Sequence, residues 1–414
     1  MKTPLGHLGY CTNIHAGEHW ADHFIALQQA IPTIKQKLSP NAPFGIGLRL
    51  SNIASLELTD PERLKEFQNW LTDNGCYVFT MNGFPYGGFH NTRVKDQVHA
   101  PDWRTPERVD YTIRLFHLLT ALLPIHMAGG ITEAGISTSP LSYRYWFQWN
   151  NRDERDLAFE ATTQRLMTVV EELVRIKQAE GISLHLDLEP EPDGLLETGD
   201  EFIEWFNLYL LPIGLERLND AFGMSAGEAE AALREHVQLC YDVCHFAVGY
   251  ERPDEVLKKL KDNGLKVGKI QISAALKATF PVEENSRAAV LDQFRQFNEP
   301  TYLHQVVARD SNGDLLRFPD LPEALLAFDE NHVEWRSHFH VPLFVADYGL
   351  LQSTQNDITE VLRLQKENPF TQQLEVETYT WEVLPEDMKL RLNDSIVREM
   401  EWVLNNVKIS NNEY

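Results

Sequence analysis

Short apolar runs alternate with helical stripes along the whole of this chain, and that alternation limits the available folds more than any other feature. Gly9–Asn13, Gly45–Leu50, Tyr77–Asn82, His126–Ile131, Ser183–Glu189, Leu239–Val243, Val267–Ser273, Ser337–Leu343 and Leu374–Trp381 read as strands. Between most of them lie helices with recognisable ends. Thr59-Asp60-Pro61-Glu62 offers a cap and a first-turn proline, Leu64, Phe67 and Leu71 form a stripe, and Asn74-Gly75 stops it. A second helix runs from Thr105-Pro106-Glu107 to Pro124. A third carries Phe159, Leu166, Val169, Val170, Leu173 and Ile176 and stops at Gly181.

Strands alternating with helices imply an α/β protein with a parallel sheet and helical crossovers. No linker, charge block or internal repeat divides the 414 residues. Nine candidate strands fit an eight-stranded TIM (β/α)8 barrel with one surplus, so residues 1–414 read as a single domain. The surplus is expected between Val267 and Trp381. Tyr302–Arg309 and Leu315–Phe318, around Asp310-Ser311-Asn312-Gly313-Asp314, read as a β-hairpin within an insertion of about 275–335. Ser337–Leu343 is either a stave or part of that insertion.

Composition narrows the partners. With 37 Lys+Arg against 61 Asp+Glu the formal charge is −24, which argues against nucleic acid and anionic membranes as broad partners. The four cysteines are too few and too scattered for a disulfide scaffold. The start of the chain lacks the apolar run of a secretory signal, and no stretch approaches the length of a membrane span. The expectation is a soluble cytoplasmic protein, not inserted in a membrane, whose partner is a small-molecule metabolite.

Side chains alternate between the faces of a strand, and here the two sets differ in kind. Leu184, Leu186 and Leu188 oppose His185, Asp187 and Glu189, while Leu374 and Val376 oppose Glu375 and Glu377. Ile270 and Ile272 oppose Lys269, Gln271 and Ser273; Arg49, Asn82, His338 and His340 also fall on polar sets. Barrel strands covered outside by helices are normally apolar on both sets. A polar set facing the axis would bury carboxylates at several kcal/mol each unless cations or hydrogen bonds compensate.

Three strand ends then suggest a metal. Glu189 precedes Pro190-Glu191-Pro192, whose prolines stop a helix from starting early and keep Glu189 at the barrel mouth. Asp242-Val243-Cys244-His245 puts an Asp-x-x-His pair at a strand-to-loop corner, and Glu377 is a further inward carboxylate. This mixture of oxygen with some nitrogen suits Mn2+, Mg2+, Co2+ or Zn2+. In the loop Phe84-Pro85-Tyr86-Gly87-Gly88-Phe89-His90, the glycines admit a close ligand and the aromatics offer a stacking face. Arg49, Asn82, Tyr86, His245 and His338 are the expected substrate contacts.

Glu189, the Asp242-x-x-His245 pair and Glu377 on successive strands resemble the xylose-isomerase-like metal barrels. That resemblance implies Glu189, Asp242 and Glu377 as ligands, His245 as a substrate contact or further ligand, and Glu189 with Glu377 as the catalytic proton shuttle. Gln271 stands where those barrels carry a ligating histidine, with His304 or His340 as substitutes. Longer motifs, among them Gly9-Tyr10-Cys11-Thr12-Asn13-Ile14-His15, Met81-Asn82-Gly83-Phe84-Pro85-Tyr86-Gly87 and His338-Phe339-His340-Val341-Pro342, are similar to the metabolite-traffic EboE family. That likeness implies work on sugar or terpenoid-like precursors beside other Ebo operon proteins. The leading expectation is a metal-dependent isomerase or epimerase. A non-catalytic metabolite-binding barrel with a degenerate metal site and a metal-dependent phosphoester hydrolase are the alternatives.

Overall fold

A computed structural model describes residues 1–88, 94–125, 130–378 and 391–409. Among these, eight parallel strands surround one axis. They are β1 (Gly6–Tyr10), β2 (Phe44–Arg49), β3 (Cys76–Asn82), β4 (Glu133–Thr138), β5 (Ser183–Leu188), β6 (Val237–Asp242), β7 (Val267–Ile272) and, after an inserted sheet, β14 (Gln373–Val376). β14 lies between β7 and β1, so that Glu375 is level with Gln271 on one side and Gly9 on the other. A parallel bridge from Cys11 to Gly47 closes the remaining seam, between β1 and β2. The expected (β/α)8 barrel is what forms.

Helices cover the outside where the sequence marks their ends. Asp60 Oδ1 accepts from the Glu62 and Arg63 amides and starts Pro61–Asp73. Arg152–Glu180 ends on Gly181 at φ 70°, a left-handed position that glycine occupies without a Cβ penalty. Among the described residues no helix is long and apolar enough to cross a membrane.

Two strand expectations change. The fourth stave is Glu133–Thr138 rather than His126–Ile131, of which residues 126–129 lie outside the described set. Its apolar signal is thin because the axis-facing position is Gly135. There a Cβ would overlap the Asp187 carboxylate. The segment Ser337–Leu343 is not a stave. Only Ser337 is in a strand, and the residues after it are pinned as a loop by His338 N to Gln305 O and Val341 N to Ala274 O. For the expected strand Leu374–Trp381, residues 379–381 lie outside the described set, as do Phe89 and His90 of the aromatic loop.

The insertion exceeds a hairpin. β8 (Leu276–Thr279), β9 (Val306–Asp310), β10 (Leu315–Phe318), β11 (His332–Ser337), β12 (Asp347–Tyr348) and β13 (Leu351–Ser353) form an antiparallel sheet in the order β10-β9-β11-β8-β13-β12. The expected β9–β10 hairpin is present, with Val306 opposite Phe318. Because β8 leaves the carboxyl end of β7 and β11 returns there, the loop after β11 is delivered over the barrel mouth.

Candidate metal centre

The two side-chain sets separate as their alternation requires. Leu184, Leu186 and Leu188 pack into the apolar core, while His185 and Asp187 are buried along the axis. There they compensate one another, with His185 Nδ1 2.6 Å from Asp187 Oδ1. Farther up the axis, Lys269 Nζ donates to Glu375 Oε2 at 2.9 Å, to Met81 O at 2.9 Å and to Ser137 Oγ at 3.1 Å. Burial alone would pull the Lys269 ammonium down, but the Glu375 carboxylate reverses this and holds it above its usual range. A Cβ at Gly47 would overlap Glu375 Oε1, so that glycine makes room for the carboxylate.

At the mouth, Glu189, Asp242 and Glu377 bring carboxylate oxygens within 4.8 Å of one another, all buried. Glu377 is held from three strands or their ends. Oε1 accepts from Asn13 Nδ2 at 2.6 Å and from Asn82 Nδ2 at 3.0 Å, and Oε2 accepts a short bond from Gln271 Nε2. Asp242 caps the helix Val243–Val248, and its Oδ1 accepts from the His245 amide and from Ser273 Oγ. Glu189 Oε2 and Asp242 Oδ2 have no hydrogen-bond partner. Burial, followed by the charges of Glu377 and Asp242, pushes Glu189 well above the usual carboxylate range. Burial, with Asp242 and Glu375, does the same to Glu377. Buried oxygens of this kind call for a cation, and the donor set fits a divalent one.

Three imidazoles stand beside the carboxylates. His245 Nε2 lies 3.1 Å from His338 Nε2, which lies 3.3 Å from His340 Nε2. His245 Nδ1 is 3.6 Å from Glu189 Oε1, and His340 Nε2 is 3.9 Å from Asp242 Oδ2. Burial lowers the proton affinity of both His338 and His340. His338 and His340 arrive on the loop after β11.

Several candidate residues do other work. His304 is turned away, its Nδ1 against His338 O at 2.9 Å and its Nε2 against Glu299 Oε1 at 2.7 Å, so both nitrogens are engaged. Gln271 offers no spare oxygen, because Cys240 Sγ donates to its Oε1 while its amide nitrogen serves Glu377. The Arg49 guanidinium donates to Pro85 O and Gly87 O, and Tyr86 packs edge-on against Tyr111. Those two residues brace the loop rather than face the cavity. Asn82 lines the cavity but is spent on Glu377 and on the Phe84 amide.

Other residues were not singled out by the strand pattern. Asn13 follows β1, Gln305 precedes β9, and His99 sits 3.0 Å from Glu191. The motif strings contained Asn13 and Glu191, but nothing in periodicity marks a side chain placed by a loop. Above the floor is a cavity of about 60 Å³ bounded by Phe84, Val98, Tyr302, Leu303, Glu191 and His338. That volume admits the polar part of a small molecule. Lys95 also reaches this wall, but its ammonium is 2.5 Å from Asp320 Oδ2.

No protein-family model matches the chain, and no curated protein matches it. Solved structures similar to it include the IolI protein with a bound zinc atom, at 13% identity over 97% of this chain and 98% of that one, with a TM-score of 0.47. Another is a xylose-isomerase-like TIM-barrel protein from Mycobacterium smegmatis in complex with magnesium, at 13% identity over 93% and 89%, TM-score 0.46. A third is D-allulose 3-epimerase from a Methylomonas species in complex with D-allulose, at 10% identity over 97% and 96%, TM-score 0.43.

Proposed function

We propose that this chain is a divalent-metal-dependent isomerase or epimerase of a small polyhydroxylated carbonyl compound, with Glu189, Asp242 and Glu377 as ligands. The reading rests on one observation: three buried carboxylates converge at the barrel mouth, where no lysine or arginine among the described residues is paired with them. A cation bound there supplies Lewis acidity to a carbonyl or hydroxyl oxygen. Asn13, Asn82 and Gln271 fix Glu377 by three donated hydrogen bonds, so its carboxylate keeps one orientation. Glu189 lacks such donors at Oε2, and burial beside Glu377 and Asp242 raises its proton affinity, which suits a group that takes and returns a proton.

The finer reading follows from the motif likeness to the EboE family. The compound is then a sugar or terpenoid-like precursor handled in the cytoplasm, within one barrel domain enlarged by its inserted sheet. The degenerate-site alternative drew on Gln271, and that residue has a positive role here as a donor to Glu377.

Incubation of the metal-loaded protein with aldoses and ketoses in D2O, followed by proton NMR, tests the reaction. Deuterium should enter at the carbon beside the carbonyl, and Glu189→Gln should abolish its entry. Absence of exchange from a fully loaded protein across the panel would refute the catalytic reading.

A further inference from the structure

We propose that Glu399 is a positioning residue for the metal centre: its Oε1 ties the strand end that carries Glu377 to the loop that carries His338 and His340, and so fixes the Glu377 ligand. The inference rests on the reading of Glu189, Asp242 and Glu377 as ligands, and the two fail separately.

The three carboxylates are not supported alike. Glu189 is followed by Pro190 and Pro192, whose rings fix the backbone. Asp242 caps the helix Val243–Val248, and its Oδ1 accepts from the His245 amide. Glu377 lies one residue beyond β14, which ends at Val376. Among the described residues the last ladder bond there runs from Glu377 N to Ile272 O at 3.0 Å. Neither Glu377 nor Thr378 starts a helix, and neither is followed by a proline. Asn13, Asn82 and Gln271 hold the head of Glu377 and leave its backbone to be fixed by other groups.

Two side chains do this. His340 Nδ1 is 2.9 Å from Glu377 O. Glu399, on the helix Leu392–Ile409, accepts at Oε1 from Thr378 Oγ1 at 2.7 Å and from the Leu343 amide at 3.1 Å. The contacts close a circuit, from Glu377 through His340 and Leu343 to Glu399 and back through Thr378. The same helix buries Ile396, Val397, Met400 and Val403 in the apolar core, and Glu399 among them is 2% exposed. A carboxyl there costs more than an apolar side chain would, and two neutral donors on one oxygen offset that cost. Groups that orient a ligating residue typically change metal affinity about ten- to a hundredfold when removed.

The test uses the full chain, stripped with a chelator and titrated with Zn2+ by calorimetry at one pH, with thermal unfolding in parallel. Glu399→Leu should weaken Zn2+ binding about ten- to a hundredfold in protein that still unfolds cooperatively. Thr378→Val keeps the shape but loses one of the two bonds, and should weaken binding by a smaller factor. Glu399→Gln keeps the accepting oxygen and should bind as the unaltered chain does. Lowered stability with an unchanged titration in Glu399→Leu means that Glu399 only seats the helix, and overturns the proposal while the metal reading stands. A Glu399→Gln chain that binds as weakly as Glu399→Leu also overturns it. If Glu399→Leu fails to fold, Thr378→Val decides, and a titration that superimposes on that of the unaltered chain refutes the role. No Zn2+ bound by the unaltered chain overturns both readings.

Discussion

Removal of the Lys269 ammonium is the sharpest test of how the barrel interior is held together. Lys269 and Glu375 are both fully buried, 2.9 Å apart, and Glu375 Oε1 has no hydrogen-bond partner. Lys269→Met leaves Glu375 as an isolated buried carboxylate. It escapes by taking a proton, which costs about 3.7 kcal/mol at pH 7 and about 1 kcal/mol at pH 5 for an ordinary carboxyl. The acceptors Met81 O and Ser137 Oγ also lose their donor. That adds about 1–2 kcal/mol at either pH. The total is about 5 kcal/mol at pH 7 and about 2–3 kcal/mol at pH 5.

Glu375→Gln leaves the opposite orphan. The stranded ammonium escapes by losing a proton, at about 4.6 kcal/mol at pH 7 and about 2 kcal/mol at pH 9. Urea unfolding of the metal-free protein across this pH range, each variant against the unaltered chain, reads both slopes. The Lys269→Met penalty should grow with pH and the Glu375→Gln penalty should shrink. A Lys269→Met penalty below about 1 kcal/mol at pH 7, or parallel slopes for the two variants, would show that the pair is not the isolated charge couple described here.

Burial pushes Glu399 up to about 8, and its Oε1 accepts from Thr378 Oγ1 and the Leu343 amide. The folded state therefore binds a proton that the unfolded state lacks between about pH 4.5 and 8, and stability falls through that window by about 5 kcal/mol as pH rises. Glu399→Gln should match the unaltered chain at pH 5 and exceed it at pH 9 in thermal unfolding; a loss at both would contradict this. Because Glu189 and Glu377 hold protons more readily than ordinary carboxyls, divalent-cation binding should release protons and tighten with rising pH. Calorimetry in buffers of different ionisation enthalpy measures the release, and none at neutral pH would place the cation elsewhere. Gly47→Ala should destabilise by about 2–3 kcal/mol by driving a methyl into Glu375, as chemical denaturation would register.

How much of this was legible varies with the device that places each residue. The inward polar sets of β5, β7 and β14 could be read because strand alternation is strict, and Asp187, Glu189, Lys269, Gln271, Glu375 and Glu377 all face the axis or its mouth. Periodicity does not reach across an insertion. His338 meets His245 across 93 positions because an antiparallel sheet returns the chain to the mouth, and no local pattern encodes that return. Arg49 and Tyr86 show a different difficulty. A cation and an aromatic near a mouth resemble ligand contacts, yet the backbone carbonyls of Pro85 and Gly87 needed a buried donor. The fourth stave was hidden because Gly135 supplies room for a neighbour's carboxylate instead of an apolar side chain of its own.

Charge along the axis then argues for where a cation belongs. In the lower barrel Asp187 Oδ1 lies 2.6 Å from His185 Nδ1, and above it Glu375 is matched by Lys269. At the mouth Glu189, Asp242 and Glu377 stand together with amides, a hydroxyl and imidazoles around them, and Lys95 in the wall is already paired with Asp320. Hydrogen bonds orient these carboxylates without neutralising them. Among the described residues the lower axial layers pair internally, so the mouth carries a deficit that a ligand from solution can fill. Stripping the metal should accordingly leave the barrel folded and alter chiefly the proton content of the mouth, the reverse of a protein whose fold depends on its metal.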